Sequence, residues 1–103
     1  MRMFIYNITT MVEPEIAAPW LSWMQEQHIP HVMASGCFES YKLVRLLETD
    51  ETQGLTYAVQ YHAPDRASYD RYVTDFAPAL QNEITRLWAG KSLSFPSLME
   101  VVK

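Results

Sequence analysis

Two runs in the middle of the chain decide the fold: FESYKLVRLLE at residues 38–48 and LTYAVQYH at residues 55–62. Both runs are rich in the β-branched and aromatic residue types that favour strands. The segment between them, TDETQG at residues 49–54, is polar and ends on a glycine that fits a hairpin turn. The middle of the chain is therefore predicted to form a β-hairpin.

A helix is predicted before the hairpin. Its apolar residues recur every three or four positions, as on one buried helix face: Ile16, Trp20, Trp23, Met24 and Val32. Pro14 and Pro19 both suit a first helical turn, so the start lies within about four residues. Pro30 lacks a backbone donor and disfavours helical angles just before it, so a kink or break is expected after His28. Gly36 is predicted to end the helix.

A second helix is predicted after the hairpin, with Asp65 as its N-cap. Its apolar residues again follow helical spacing: Tyr69, Tyr72, Val73, Phe76, Leu80, Ile84, Leu87 and Trp88. Pro78 is expected to bend this helix, and Gly90 is expected to end it.

Strands are predicted at both ends of the chain, over residues 3–12 and 92–102. Pro96 removes a ladder donor, so the last strand belongs at a sheet edge. The element order is βαββαβ, and right-handed crossovers place both helices on one face of a four-stranded antiparallel sheet. This is the α+β, ferredoxin-like fold, and a chain of 103 residues is expected to form one domain over residues 1–103.

Charge and hydropathy argue against two classes of partner. The net charge of −4 comes without any cluster of Lys and Arg, so nucleic acid is not an expected partner. No apolar run approaches the roughly 20 residues that span a bilayer, and the N-terminus does not resemble a signal peptide. We expect a cytoplasmic protein that does not contact membranes. The single cysteine, Cys37, is expected to be a small buried apolar residue.

Side chains alternate between the two faces of a strand, so each strand offers two sets. The sets predicted to face the helices are Phe4, Tyr6 and Ile8; Lys42, Val44 and Leu46; and Leu55, Tyr57, Val59 and Tyr61. The opposite face combines the polar residues Asn7, Arg45 and Gln60 with the apolar residues Ile5, Met11, Tyr41, Leu43 and Leu47. That face is too apolar to be left in water. We expect a second copy of the chain to cover it, in a homodimer with an interface of roughly 1,500 Å² or more.

The element order, the covered sheet and the segment HIPHV at residues 28–32 followed by Gly36 resemble the dimeric α/β-barrel superfamily. Its members include ring-cleaving and ring-oxidising monooxygenases, haem-degrading enzymes, sugar mutarotases and stress-responsive barrel proteins. Within it, the chain resembles a small bacterial family of unknown function through WLSWMQEQHIP at residues 20–30, YAVQY at residues 57–61 and FAPAL at residues 76–80. The resemblance implies a face-to-face dimer with a pocket between sheet and helices in each protomer, bordered by His28.

His28 is the first candidate for chemistry. A neutral imidazole at a helix kink can act as a general base or orient a carbonyl-containing ligand. The alternative is a structural histidine that hydrogen bonds the carbonyl freed by the proline, and the sequence leaves both interpretations open. His31 lies three residues further on, but Pro30 distorts the spacing and no third ligand is evident, so neither a metal nor another cofactor is expected.

Two further groups of residues are candidates for binding. The aromatic side chains Tyr6, Trp20, Trp23, Tyr57 and Tyr61 are predicted to line a flat apolar pocket, although the same pattern is typical of a core. Asn7, Arg45 and Gln60 are predicted to form a polar cluster, either as an anion or carbonyl site or as a network in the dimer interface.

Besides haem binding, which a Soret band on titration would reveal, two functions are compatible with these residues. One is a dimeric protein that binds a small molecule without catalysis or has a structural role. The other is a cofactor-independent monooxygenase-like or isomerase-like enzyme for an aromatic or polyketide-like substrate. In that enzyme His28 is the general base, and Arg45 or a tyrosine stabilises the negative charge that develops on the substrate.

Overall fold

The computed structural model describes residues 2–103 and has the predicted α+β, ferredoxin-like architecture. Four antiparallel strands form one sheet in the order β2-β3-β1-β4: β1 (Phe4–Val12), β2 (Ser40–Arg45), β3 (Leu55–Ala63) and β4 (Ser92–Glu100). The helices are α1 (Ala17–Trp23), α2 (Ile29–Ala34), α3 (Arg66–Asp75) and α4 (Ala77–Trp88). A 3₁₀ turn (Pro14–Ile16) precedes α1, and a π-helical turn (Met24–His28) joins α1 to α2.

The sheet register fixes which residues face the helices. Tyr6 and Ile8 on β1 lie opposite Tyr61 and Val59 on β3, and Thr10 lies opposite Tyr57. The buried core joins this side of the sheet to the helices, and its largest fully buried side chains are Tyr61, Ile29, Val12, Val32 and Cys37. The sets predicted for β1 and β3 are therefore confirmed.

The sets predicted for β2 are wrong by one residue. Tyr41, Leu43 and Arg45 lie opposite Tyr61, Val59 and Tyr57, so they share the helix-facing side. Lys42 lies opposite Gln60 on the uncovered side. β2 is an edge strand, and both of its sets of side chains mix polar with apolar residues. Its sequence therefore does not show which set faces the core.

The second helical region confirms most of the sequence prediction. The Asp65 carboxylate accepts a hydrogen bond from the Ser68 backbone N–H at 2.8 Å, as an N-cap should. The chain leaves helical geometry at Phe76, with φ −121°, so the bend expected near Pro78 is a full break between α3 and α4. Pro96 lies on β4, which is an edge strand as predicted.

Gly54 has a different role from the one predicted. It does not adopt a positive φ, and a Cβ atom there would lie 2.6 Å from the backbone oxygen of Val12. The glycine is required because the start of β3 passes close to β1, where any side chain would meet backbone. In the loop itself the positive φ, 60°, belongs to Glu48.

The face of the sheet away from the helices is unevenly apolar. On β4 and β1 it carries Leu93, Phe95, Met99, Ile5 and Met11. Leu93 and Phe95 are 54% and 55% exposed. The other half of this face carries polar side chains such as Lys42, Gln60 and His62. Within residues 2–103, no helix has the length and apolar character needed to cross a membrane.

Candidate functional site

A cavity of about 200 Å³ lies between the sheet and the helices. The sheet contributes Tyr6, Ile8, Thr10, Val59, Ser94 and Pro96 to its wall. The helical layer contributes Trp20, Met24, His28, Gln81 and Ile84. The wall is therefore mainly apolar and aromatic with a few polar groups, which is the composition of a typical small-molecule site.

The π-helical turn places Met24 and His28 on the cavity wall. In an α-helix the ring of Pro30 would clash with the carbonyl of Glu26, four residues earlier, and could not donate to it. Here the backbone N–H of Ile29 bonds the carbonyl of Met24, five residues back, which widens the turn and accommodates the proline. The kink or break expected after His28 thus takes the form of a wider turn, without an interruption of the helix. Ile29 stays helical, with φ −59° and ψ −44°.

His28 is buried and neutral. Its side chain is 3% exposed, and its ring stacks on Trp23 with centroids 5.1 Å apart. Burial, with a smaller contribution from the charge of His31, lowers the pKa of His28 to about 4. Its Nδ1 atom is buried without a hydrogen-bond partner among residues 2–103. Nδ1 has no accessible surface, so a ligand in the cavity cannot reach it. Nε2 is not enclosed and has no hydrogen-bond partner among residues 2–103, so it is the ring nitrogen available to a ligand.

A pair of hydroxyl groups lies on the sheet side of the cavity. Thr10 Oγ1 and Ser94 Oγ are 2.8 Å apart across β1 and β4. One hydroxyl donates to the other, so one of the two hydrogens remains free to donate elsewhere. The sequence interpretation missed both residues, although Thr10 continues the alternating set of Tyr6 and Ile8 and could have been found by extending it.

Of the five aromatic residues predicted to line a pocket, Tyr6 and Trp20 are in the cavity wall. The ring of Trp23 stacks on that of His28, and it also contacts the ring of Trp88 edge-on, with centroids 5.9 Å apart. Tyr57 packs against Trp20 at 5.4 Å. Tyr61 is fully buried in the core, and its hydroxyl has no partner among the described residues.

The three residues of the predicted polar cluster do not come together. Asn7 and Gln60 lie opposite each other on the uncovered face, where the Asn7 amide donates to Thr9 Oγ1 at 3.1 Å. Arg45 lies on the opposite face, at the edge, and its guanidinium pairs with the Glu51 carboxylate at 2.7 Å. The one-residue error in the β2 alternation is the reason that Arg45 was predicted there. This residue is outside the cavity wall.

Comparisons with known proteins agree on the fold. The family described as "Domain of unknown function (DUF4286)" matches residues 3–102. A dimeric ferredoxin-like protein from an uncultured marine organism is similar over 100% of this chain and 98% of its own, with 11% identity and a TM-score of 0.77. SnoaB, a cofactor-independent oxygenase from Streptomyces nogalater, is similar over 99% and 94%, with 17% identity and a TM-score of 0.69.

A DABB family protein with a ferredoxin-like fold from Mesorhizobium loti is also similar, over 94% of this chain and 96% of its own, with 12% identity and a TM-score of 0.65. No curated protein matches the chain. At such low identities the likeness concerns the fold, which hosts many unrelated activities.

Proposed function

Because this chain belongs to the DUF4286 family and has the ferredoxin-like fold, we propose that it binds a small, mainly apolar molecule in the cavity between its sheet and its helices. The observation that carries the proposal is the cavity itself, of about 200 Å³. The cavity opens to solvent beside the exposed residues Gln81, Ser94 and Pro96, and its wall is mainly apolar. Two polar groups in the wall, His28 and the pair of Thr10 and Ser94, retain hydrogen-bonding capacity. A concave, mainly apolar cleft with a few convergent polar groups is the usual form of a small-molecule site.

The test is a substitution that fills the cavity. Ile84→Trp on α4 places extra volume in the cavity, whereas Leu87→Trp, three residues on, adds the same side chain at a position that is 41% exposed. A panel of small aromatic and aliphatic molecules is titrated into each protein, and binding is measured by calorimetry. We expect binding to wild type and to Leu87→Trp, and none to Ile84→Trp. Equal binding by all three proteins, or by none, contradicts the proposal.

We also propose that the protein forms a homodimer through the uncovered face of the sheet. The apolar half of that face, formed by Leu93, Phe95, Met99, Ile5 and Met11, has no cover within residues 2–103. A second copy covers it symmetrically, because two such faces brought together bury each other. The dimeric ferredoxin-like protein from the marine organism shows that a chain of this fold can pair, although it shares only 11% identity.

The second candidate function is a cofactor-independent reaction in which His28 takes a proton from the bound molecule. What favours it is a neutral imidazole in the cavity wall. Its low pKa weakens it as a base: transfer from an acid with a pKa of about 10 to an imidazole with a pKa of about 4 is uphill by about 8 kcal/mol. Arg45 cannot offset this cost, since it pairs with Glu51 outside the cavity. Binding is therefore the better supported function.

The enzyme hypothesis is tested on turnover. If His28 is a base, His28→Ala abolishes conversion of a bound substrate while His31→Ala, at an exposed position of the next helix, preserves it. If both variants convert substrate at the wild-type rate, His28 has no catalytic role.

A further inference from the structure

The dimensions and chemistry of the cavity narrow the class of ligand, provided that the proposed function holds. A cavity of about 150 Å³ lined by apolar side chains is enough to bind benzene. The cavity here, at about 200 Å³, has room for one six-membered ring with small substituents. The cavity opens to solvent beside Gln81, Ser94 and Pro96, which are exposed, so the parts of a larger molecule that exceed one ring would lie outside it.

The cavity wall offers no counter-charge to a charged ligand. None of the described residues in the wall is Asp, Glu, Lys or Arg. Burial keeps the imidazole of His28 in its neutral form at pH 7 by lowering its pKa. A carboxylate, phosphate or ammonium group bound against His28 would lose part of its hydration without gaining a counter-charge, which weakens its binding relative to that of a neutral group.

The aromatic wall favours a flat ring over an aliphatic chain of the same volume. Trp20 is held in place by Tyr57, with ring centroids 5.4 Å apart. Tyr6 is held by edge-on contact with Tyr69 at 5.5 Å. Two fixed aromatic side chains can contact a third ring in the offset or edge-on arrangements that aromatic pairs prefer, which adds about 0.5–1.5 kcal/mol per pair to the burial of area.

The polar groups select for a hydroxyl. A neutral imidazole has one donor nitrogen and one acceptor nitrogen, and Nε2 of His28, the ring nitrogen that is not enclosed, is one or the other. A hydroxyl group satisfies it in either case, because it can both donate and accept. A carbonyl group can only accept. The free hydrogen of the Thr10 and Ser94 pair offers a second contact, to which a hydroxyl oxygen is equally suited.

We propose that the cavity binds an uncharged single-ring phenol, with its ring against Tyr6 and Trp20 and its hydroxyl hydrogen bonded to His28. The inference rests on the proposed function but is narrower, since it fixes the size, charge and polar group of the ligand. The Thr10 and Ser94 hydroxyls contribute to the preference for a polar substituent.

The experiment measures the affinity of wild type for four probes by calorimetry: phenol, toluene, benzoate and the tricyclic anthrone. We expect phenol to bind at least ten-fold more tightly than toluene, because toluene cannot hydrogen bond the imidazole of His28. Benzoate, which is charged, and anthrone, whose oxygen is a carbonyl, are expected to bind more weakly than phenol. Toluene binding as tightly as phenol, or anthrone or benzoate binding more tightly than phenol, overturns the inference while leaving the proposed function intact. Binding of none of the four overturns the inference, and the broader panel with Ile84→Trp then decides the proposed function.

Paired variants assign the preference to residues. His28→Phe keeps a ring on Trp23 but removes both nitrogens, and is expected to reduce the ratio of phenol to toluene affinity to about one. His31→Phe is its control at an exposed position. Thr10→Val removes one hydroxyl with little change in volume and is expected to lower the ratio about three-fold, whereas Thr74→Val on exposed α3 surface should leave it unchanged. An unchanged ratio in His28→Phe contradicts the assignment, and the toluene affinity itself reports whether the cavity has survived.

Discussion

The two faces of this sheet show how the same strand can serve two different surfaces. On β1, Tyr6 and Thr10 point toward the helices and contribute to the cavity, whereas Asn7 and Met11 point away from them. On the covered side, two buried polar atoms have no hydrogen-bond partner among the described residues: the Tyr61 hydroxyl on the sheet and His28 Nδ1 in the helical layer. The uncovered face holds apolar groups that are exposed, such as Leu93 and Phe95.

Polar atoms are buried on one side of the sheet, and apolar side chains are exposed on the other. This is the reverse of the usual arrangement, and both features are costly for an isolated chain. A buried polar atom without a partner costs about 1–3 kcal/mol. A group of exposed apolar side chains on one sheet face is a common mark of an interface. The cavity on the covered side, not these enclosed atoms, offers a place for a ligand, and the uncovered face offers a surface for a partner. The predictions below test the two faces separately, beginning with the largest expected effect.

The largest effect is expected on the uncovered face. The double variant Leu93→Glu/Phe95→Glu places four carboxylates in a two-fold interface, where they would be buried near one another. We expect the dissociation constant of the dimer to rise at least 1,000-fold, or about 4 kcal/mol. Sedimentation equilibrium or light scattering over a range of concentrations measures it.

The matched control for this variant is Val73→Glu/Leu87→Glu, which introduces the same charges at apolar helix positions that are both 41% exposed. The control is expected to remain dimeric. If wild type itself is a monomer at micromolar concentration, or if the control dissociates as readily as Leu93→Glu/Phe95→Glu, the uncovered face is not the interface.

The sequence predicted the architecture because its strongest signals are local and agree with one another. Asp65 before a helical pattern, Pro96 in the last strand, and Gly36 and Gly90 after the two helical regions each have the predicted role. Capping, edge placement and positive φ depend on a few neighbouring residues, so a sequence can encode them without knowledge of the tertiary contacts.

The predictions that are wrong depend on distant contacts. The register of β2 with β3 decides which side chains of β2 face the helices. The prediction was wrong by one residue on this strand, so it placed Arg45 on the wrong face. The helix continues past Pro30 because Ile29 and Val32, 1% and 0% exposed, anchor it to the core, and this packing outweighs the local preference for a break. Gly54 is required by the backbone of Val12, more than 40 residues earlier in the chain, and no local pattern contains that information.

Only some of the residues in the cavity wall could be predicted from the sequence. The sequence singled out His28, Tyr6 and Trp20, which line it, but also Tyr57 and Tyr61, which do not. An aromatic residue in a cavity wall and one in the core have the same spacing along the chain, since both belong to the helix-facing set. Only the three-dimensional packing separates them.

The second prediction concerns the covered face and its dependence on pH. The folded pKa of His28, about 4, lies below the ordinary value of 6.5, so the unfolded chain binds a proton here more readily than the folded protein. The contribution to stability is therefore complete above pH 6.5 and is lost as the pH falls toward 4. The two values correspond to a loss of about 3 kcal/mol over that window.

The measurement compares the free energy of unfolding in urea for wild type and His28→Phe between pH 7 and pH 4. The difference between the two proteins should change by about 3 kcal/mol in favour of the variant, since carboxylate titrations common to both cancel. His31→Phe serves as the control and should keep the wild-type slope. A slope that is the same in wild type and His28→Phe would show that His28 does not titrate abnormally.

The smallest effect is expected at Tyr61, and it has the opposite sign from most substitutions in a core. Its hydroxyl is buried without a partner, and burial also raises its pKa, so the group is neutral and contributes no hydrogen bond to the folded state. Tyr61→Phe removes the unsatisfied hydroxyl and keeps the ring that stacks near Phe38 at 5.2 Å. We expect the variant to be more stable than wild type by about 1 kcal/mol, seen as a rise in Tm.

Tyr41, opposite Tyr61 on β2 and 48% exposed, provides the control: Tyr41→Phe should change stability little, because water already satisfies that hydroxyl. A loss of stability in Tyr61→Phe would mean that a buried water molecule bonds the hydroxyl, and the covered face would then hold one fewer unsatisfied group than its geometry indicates.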